Sequence, residues 1–266
     1  MRAYVFTDPA LAKHAGQFVW LAIDGEKAVN AEFRRRYKIP AYPTYYIIDP
    51  ASRQALLRWV GGASVTQLDG LFDQQSAAYA QRASGKGAPA AVDAIMARAD
   101  SLYAVNAHAE AAAVYAEAMV RAPSGWADYP RAVDARMFSL SEADSAEACV
   151  ALAERSLAGL RNTPTGASVA GSGLGCALQL PAASPHRAER VAALERACRE
   201  ILADTTLLLT GDDRSGLYIS LLDARDAAGD SVGHRTVAGQ WAAFLEGQAA
   251  RARTPDQRAV FDSHRL

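Results

Sequence analysis

Two regimes of hydrophobic patterning divide the chain. Up to about residue 80 the apolar positions come in short runs broken by turn residues. Residues 18–23 (Phe18-Val19-Trp20-Leu21-Ala22-Ile23) form a strand-length run ending at Asp24, and residues 28–37 read as a helix. A turn follows over residues 39–44, then an apolar strand at Tyr45-Tyr46-Ile47-Ile48, a turn at Asp49-Pro50 and a strand over residues 56–60. Gly61-Gly62 closes that strand and a helix is predicted from Ser64. Runs of this length, bounded by turn formers, predict strands. Alternation then places Tyr45 and Ile47 on one sheet face and Tyr46 and Ile48 on the other.

Beyond residue 90 the period changes. Ile95, Leu102 and Tyr103, then Ala111, Ala112, Val114, Tyr115, Ala118 and Met119, recur at helical spacing. The spacing predicts two helices over residues 91–123, separated at Val105-Asn106-Ala107 and ended by Pro123. Further pairs are predicted at 130–139 with 143–160, 175–180 with 188–204, and 215–228 with 232–251, with a last helix from Thr254-Pro255. Residues 83–90, with Ser84, Gly85, Gly87 and Pro89, read as a linker between a domain at 1–82 and a helical domain at 91–266.

Composition narrows the function classes. The 266 residues carry a net charge of −1, which gives no electrostatic footing for nucleic acid. There is no apolar run of spanning length, and residues 1–20 lack the order of a leader peptide. A cytoplasmic location is expected for the chain as written, although a longer parent could be exported. Cys149, Cys176 and Cys198 stand 27 and 22 residues apart and form no C-x-x-C or zinc-type pair. Their alanine- and leucine-rich surroundings predict small buried hydrophobes, and nothing in the spacing argues for a bridge. The histidines (His14, His108, His186, His234 and His264) are scattered and predict surface or capping roles. Neither a metal site nor a cofactor is expected. Residues 166–175 are glycine-rich but lack a lysine-serine/threonine ending and a preceding strand. They predict a loop before the helix of Cys176, not a phosphate cradle. Arg34-Arg35-Arg36 predicts a solvated helix end.

Residues 18–62, with Tyr42-Pro43-Thr44 as the most specific element and Asp8-Pro9-Ala10-Leu11-Ala12 before them, resemble the thioredoxin-like superfamily. The resemblance covers roughly residues 1–80. It implies a cis bond before Pro43, with Tyr42, Pro43 and Thr44 meeting a protein or peptide partner; a trans proline in an ordinary turn is the plainer alternative. It also implies that the family's C-x-x-C, first helix and a central strand precede Asp8. The chain is therefore expected to be N-terminally truncated, with Met1 an internal methionine. The alternative is a redox-inert module with a rebuilt edge and three or four strands. Residues 111–118, with Pro123, resemble a tetratricopeptide repeat. The fold expected is α/β plus all-α: an incomplete thioredoxin-like module followed by a tetratricopeptide-like array. A thiol–disulfide role is implied by resemblance alone, because the chain carries no dithiol site and no catalytic residue can be assigned. The alternative is a redox-inert interaction scaffold.

Overall fold

The computed structural model describes residues 5–39, 42–84 and 91–262; the expectations for Met1, Pro40, His264 and most of the linker lie outside them. The chain divides into two units, residues 1–122 and 123–266. Among the described residues there are eleven α-helices and one two-stranded antiparallel sheet, so helix dominates and strand is confined to the first unit.

The first unit opens with a 3-10 turn at Pro9–His14. The Asp8 carboxylate accepts from the Ala10 N–H at 2.9 Å, and Pro9 takes the first position, where a missing N–H is harmless. A second 3-10 turn, Ala28–Asn30, leads into α1 (Ala31–Arg36), so the helix predicted over 28–37 is present as these two pieces. Strands β1 (Thr44–Ile48) and β2 (Ala55–Val60) pair with Tyr45 opposite Trp59, Tyr46 opposite Arg58 and Ile47 opposite Leu57. Asp49 closes their connection by accepting from the Ala51 and Ser52 N–H groups. Helix α2 (Val65–Ser84) starts on a reciprocal cap: the Gln67 N–H donates to Ser64 Oγ at 3.2 Å, and the Ser64 N–H donates to Gln67 Oε1 at 2.8 Å. Its Leu68, Leu71 and Phe72 share a buried cluster with Leu57 of β2.

The run at residues 18–23 departs from expectation. It forms no ladder; only an isolated bridge joins Phe18 to Ala15. Over residues 18–21 alternate side chains nevertheless differ in what they touch. Phe18 and Trp20 pack on Phe72, with ring centroids 5.3 and 5.2 Å away, while Val19 and Leu21 are 88% and 75% exposed. An apolar run supplies the side-chain pattern of a strand, but a ladder also needs a neighbour at hydrogen-bonding distance. The sheet therefore has two strands among the described residues, not three or four.

Helices α3 (Ala91–Ala104) and α4 (His108–Arg121) fold back on each other across the predicted break, where Asn106 takes a left-handed φ of 63°. They belong to the same unit as the sheet. Arg58 on β2 is the tie. Its guanidinium lies 4.1 Å from the centroid of the Tyr103 ring and donates to the Asn106 side chain. Beneath it, Tyr115 on α4 donates to Asp100 on α3 at 2.7 Å.

The second unit is helical among its described residues: α5 (Tyr129–Glu142), α6 (Ala146–Leu160), α7 (Pro164–Gln179), α8 (Arg187–Ala203), α9 (Gly211–Ala227), α10 (Ser231–Arg251) and α11 (Pro255–Asp262). Consecutive helices pack together, and α5, α7 and α9 also pack on one another in series. The glycine-rich stretch expected as a loop lies inside α7. Thr163 caps it by accepting from the Gly166 N–H, and Pro164 occupies its first turn. The glycines act as contact points. A Cβ on Gly166 would lie 2.2 Å from the Leu160 carbonyl oxygen, and one on Gly173 would lie 2.6 Å from the Ala153 Cβ. Glycine weakens an isolated helix by ~1 kcal/mol, and here the close approach of α6 to α7 offsets that cost.

Candidate functional site

The predicted contact residues sit at the entrance to β1. Tyr42 is two-thirds exposed, the Tyr42–Pro43 peptide is cis, and Thr44 pairs with Val60 at the first rung of the sheet. The Pro43 carbonyl accepts from the Gly61 N–H at 2.8 Å, and Gly61 has a φ of +92°, a conformation that suits glycine. The Tyr42 hydroxyl rests on Gly25, where a Cβ would stand 2.0 Å from it. This contact brings the turn beside the end of the unpaired 18–23 segment. The surface at this point is the exposed Tyr42 ring and the X-Pro turn against Gly25; Val19 and Leu21 are also exposed, earlier in the 18–23 segment.

Behind this surface the predicted alternation of β1 is present. Tyr45 meets Phe6 at 5.4 Å between centroids, while Tyr46, on the opposite face, meets Tyr37 at 5.4 Å and donates to the Lys38 carbonyl. Burial pushes the Tyr46 hydroxyl above its ordinary pKa, and the opposing Arg58 partly counters the shift. Arg34, Arg35 and Arg36 lie exposed at the end of α1, where cations suit the helix terminus.

A second cluster was not anticipated. His14, expected at the surface, is fully buried; its Nε2 lies 2.9 Å from Asp69 Oδ1 and its Nδ1 3.3 Å from Gln17 Oε1. His14, Asp69 and Asp73 have the composition of a cation site, their ligand atoms within 4.8 Å of one another. The Lys13 ammonium already stands 3.0 Å from Asp69 and 2.8 Å from Asp73, and so supplies the positive charge. Lys13 is held above its ordinary pKa by Asp73 and Asp69, while Asp69 is held below its own by Lys13 and His14. The cluster clamps the Pro9–His14 turn to α2. The adjacent basic and acidic residues, two on the turn and two at i and i+4 on α2, were a weak sequence signal for it.

All three cysteines lie in the second unit. Cys149 and Cys176 form a disulfide between α6 and α7, a pairing for which the spacing gave no argument. Cys198 is a free thiol, buried as expected, and burial followed by the nearby Glu195 pushes it up to about 12. Across α5 and α7, Ser168 donates to Asp134, whose carboxyl is raised by burial and by Asp213 on α9. Comparison with protein-family models, with curated proteins and with solved structures finds no match.

Proposed function

We propose that this chain is a protein-interaction protein, a redox-inert thioredoxin-like module joined to a tetratricopeptide-like helical array. The observation that carries the reading is its thiol inventory. Residues 1–122 contain no cysteine, two of the three cysteines are bonded to each other, and the third is buried with its pKa raised to about 12. Dithiol exchange needs an accessible thiolate, and none of these groups offers one. What the first unit presents instead is an exposed aromatic ring, Tyr42, on a turn whose Pro43 and Thr44 are half-buried at the start of β1. Such an edge suits an extended peptide segment. The redox reading drawn from the resemblance would need a thiolate from outside these 266 residues.

Selection from a displayed library of short extended peptides tests the proposal. The protein is expected to enrich a consensus with an apolar anchor, and Tyr42→Ala is expected to weaken the selected peptide by roughly tenfold, the scale of one well-packed tyrosine. Enrichment that is indifferent to Tyr42→Ala would move the binding face to the helical array. No enrichment at all would remove the peptide-binding reading.

A further inference from the structure

We infer that the second unit is completed by thiol oxidation and that the chain works in a thiol-oxidising compartment. The Cys149–Cys176 bridge joins the first half of α6 to the last turn of α7, closing a sequence separation of 27 residues with Cα atoms 6.1 Å apart. It lies on the same antiparallel seam as the Gly173–Ala153 and Gly166–Leu160 contacts, where small residues bring the two helices closest. Both bonded cysteines are buried, at 0% and 1% exposure. Cys198 is equally buried on α8, which also packs on α7, and it remains unbonded. The structure therefore selects one of three pairings and leaves no accessible thiolate to scramble it. Buried bridges that staple secondary structure persist where thiols are not kept reduced, and they are rare in the cytosol. The cytoplasmic placement expected above rests only on the lack of an apolar spanning run and of a leader-like order in residues 1–20.

The oxidation is an exchange with an external disulfide, either oxidised glutathione or a protein disulfide donor. The thiolate of one cysteine attacks the donor disulfide, forming a mixed disulfide and releasing the first donor thiol. The second cysteine, as its thiolate, then attacks the chain's own sulfur in that mixed disulfide and releases the other donor thiol. The two cysteines lose two electrons and two protons, and the donor ends as two thiols. Since both sulfurs are enclosed in the finished fold, exchange precedes the closing of α6 on α7.

The test is to produce the full chain in a reducing cytosol and, with an export signal, in an oxidising compartment. Both products are alkylated in denaturant without reductant and their peptides mapped by mass spectrometry. Alkylation of Cys198 alone in the exported protein, with a Cys149–Cys176 cross-linked peptide, is expected, against three alkylated cysteines in the cytosolic product. Three alkylated cysteines in the exported protein, or a bridge to Cys198, would overturn the proposal; a bridge formed equally in the cytosol would overturn the compartment. Thermal melting supplies the second readout. Cys149→Ala/Cys176→Ala is expected to melt roughly 5–10 °C below the oxidised protein and level with the reduced one. Equal melting of all three forms would contradict completion of the fold by oxidation.

Discussion

Arg58 brings a guanidinium into the interior of the first unit, with only 5% of its surface exposed, and two neighbours make that position tenable. Tyr103 offers a ring face and Asn106 a carbonyl oxygen, both from the α3–α4 hairpin. Arg58→Leu loses the cation–π contact and leaves the Asn106 amide without its partner. Urea unfolding of the variant is expected to show a loss of ~1–3 kcal/mol. Gly25 poses a different case, because the atom its Cβ would meet is the far end of an exposed tyrosine. Gly25→Ala is expected to displace the Tyr42 ring while changing stability by no more than ~0.5 kcal/mol, a combination that tyrosine fluorescence and melting together can read. The alternation of Tyr45 and Tyr46 across the sheet was legible in the sequence, because a strand's period fixes it. The partners of Arg58 were not, since they lie 45 and 48 residues away.

At the scale of elements, helices were legible where apolar spacing and turn residues agreed. The break at 105–107 is an example, followed by α4 with its buried Ala111, Ala112, Val114, Tyr115 and Ala118. Two elements misled for opposite physical reasons. Residues 18–23 have strand composition but, among the described residues, no neighbouring strand to complete a ladder. Helix α7 has loop-like composition, yet Gly166, Gly171 and Gly173 are where neighbouring helices touch it; the start signal Thr163-Pro164 was available in the sequence. Gly173→Val tests this account of α7. Its added carbon would meet the Ala153 Cβ at 2.6 Å and Leu194 Cδ2 at 3.1 Å. Overpacking at both contacts is expected to cost ~1–3 kcal/mol and to slow formation of the Cys149–Cys176 bridge in timed alkylation. A variant that folds and oxidises like the parent would mean that α6 and α7 tolerate a wider spacing.

Over the whole chain, the change of patterning near residue 90 was visible in the sequence, whereas the grouping of α3 and α4 with the sheet was not, because Arg58 and its distant partners help decide it. No helix among the described residues is long and apolar enough to cross a membrane. In the second unit Asp204 and Asp230 are held below the ordinary carboxylate value and act below it, so above it the pH dependence comes from two raised carboxylates. Asp134 is raised above the ordinary 3.8 chiefly by burial, and Asp213 is raised by burial as well. Between that ordinary value and their folded values the native state binds more protons than the unfolded one, so stability falls as pH rises through this window. Asp134→Asn is expected to flatten the decline in urea melts taken from roughly pH 4 to 7, with Asp213 leaving a residual slope of the same sign. An unchanged slope would place its source elsewhere. The central claim is that this chain binds proteins without exchanging thiols, and insulin reduction by dithiothreitol tests it most directly. With the 266-residue chain added, precipitation is expected at the rate of dithiothreitol alone. An acceleration that disappears on Cys198→Ser, or on removal of the Cys149–Cys176 pair, would contradict the account and make the chain a thiol–disulfide catalyst.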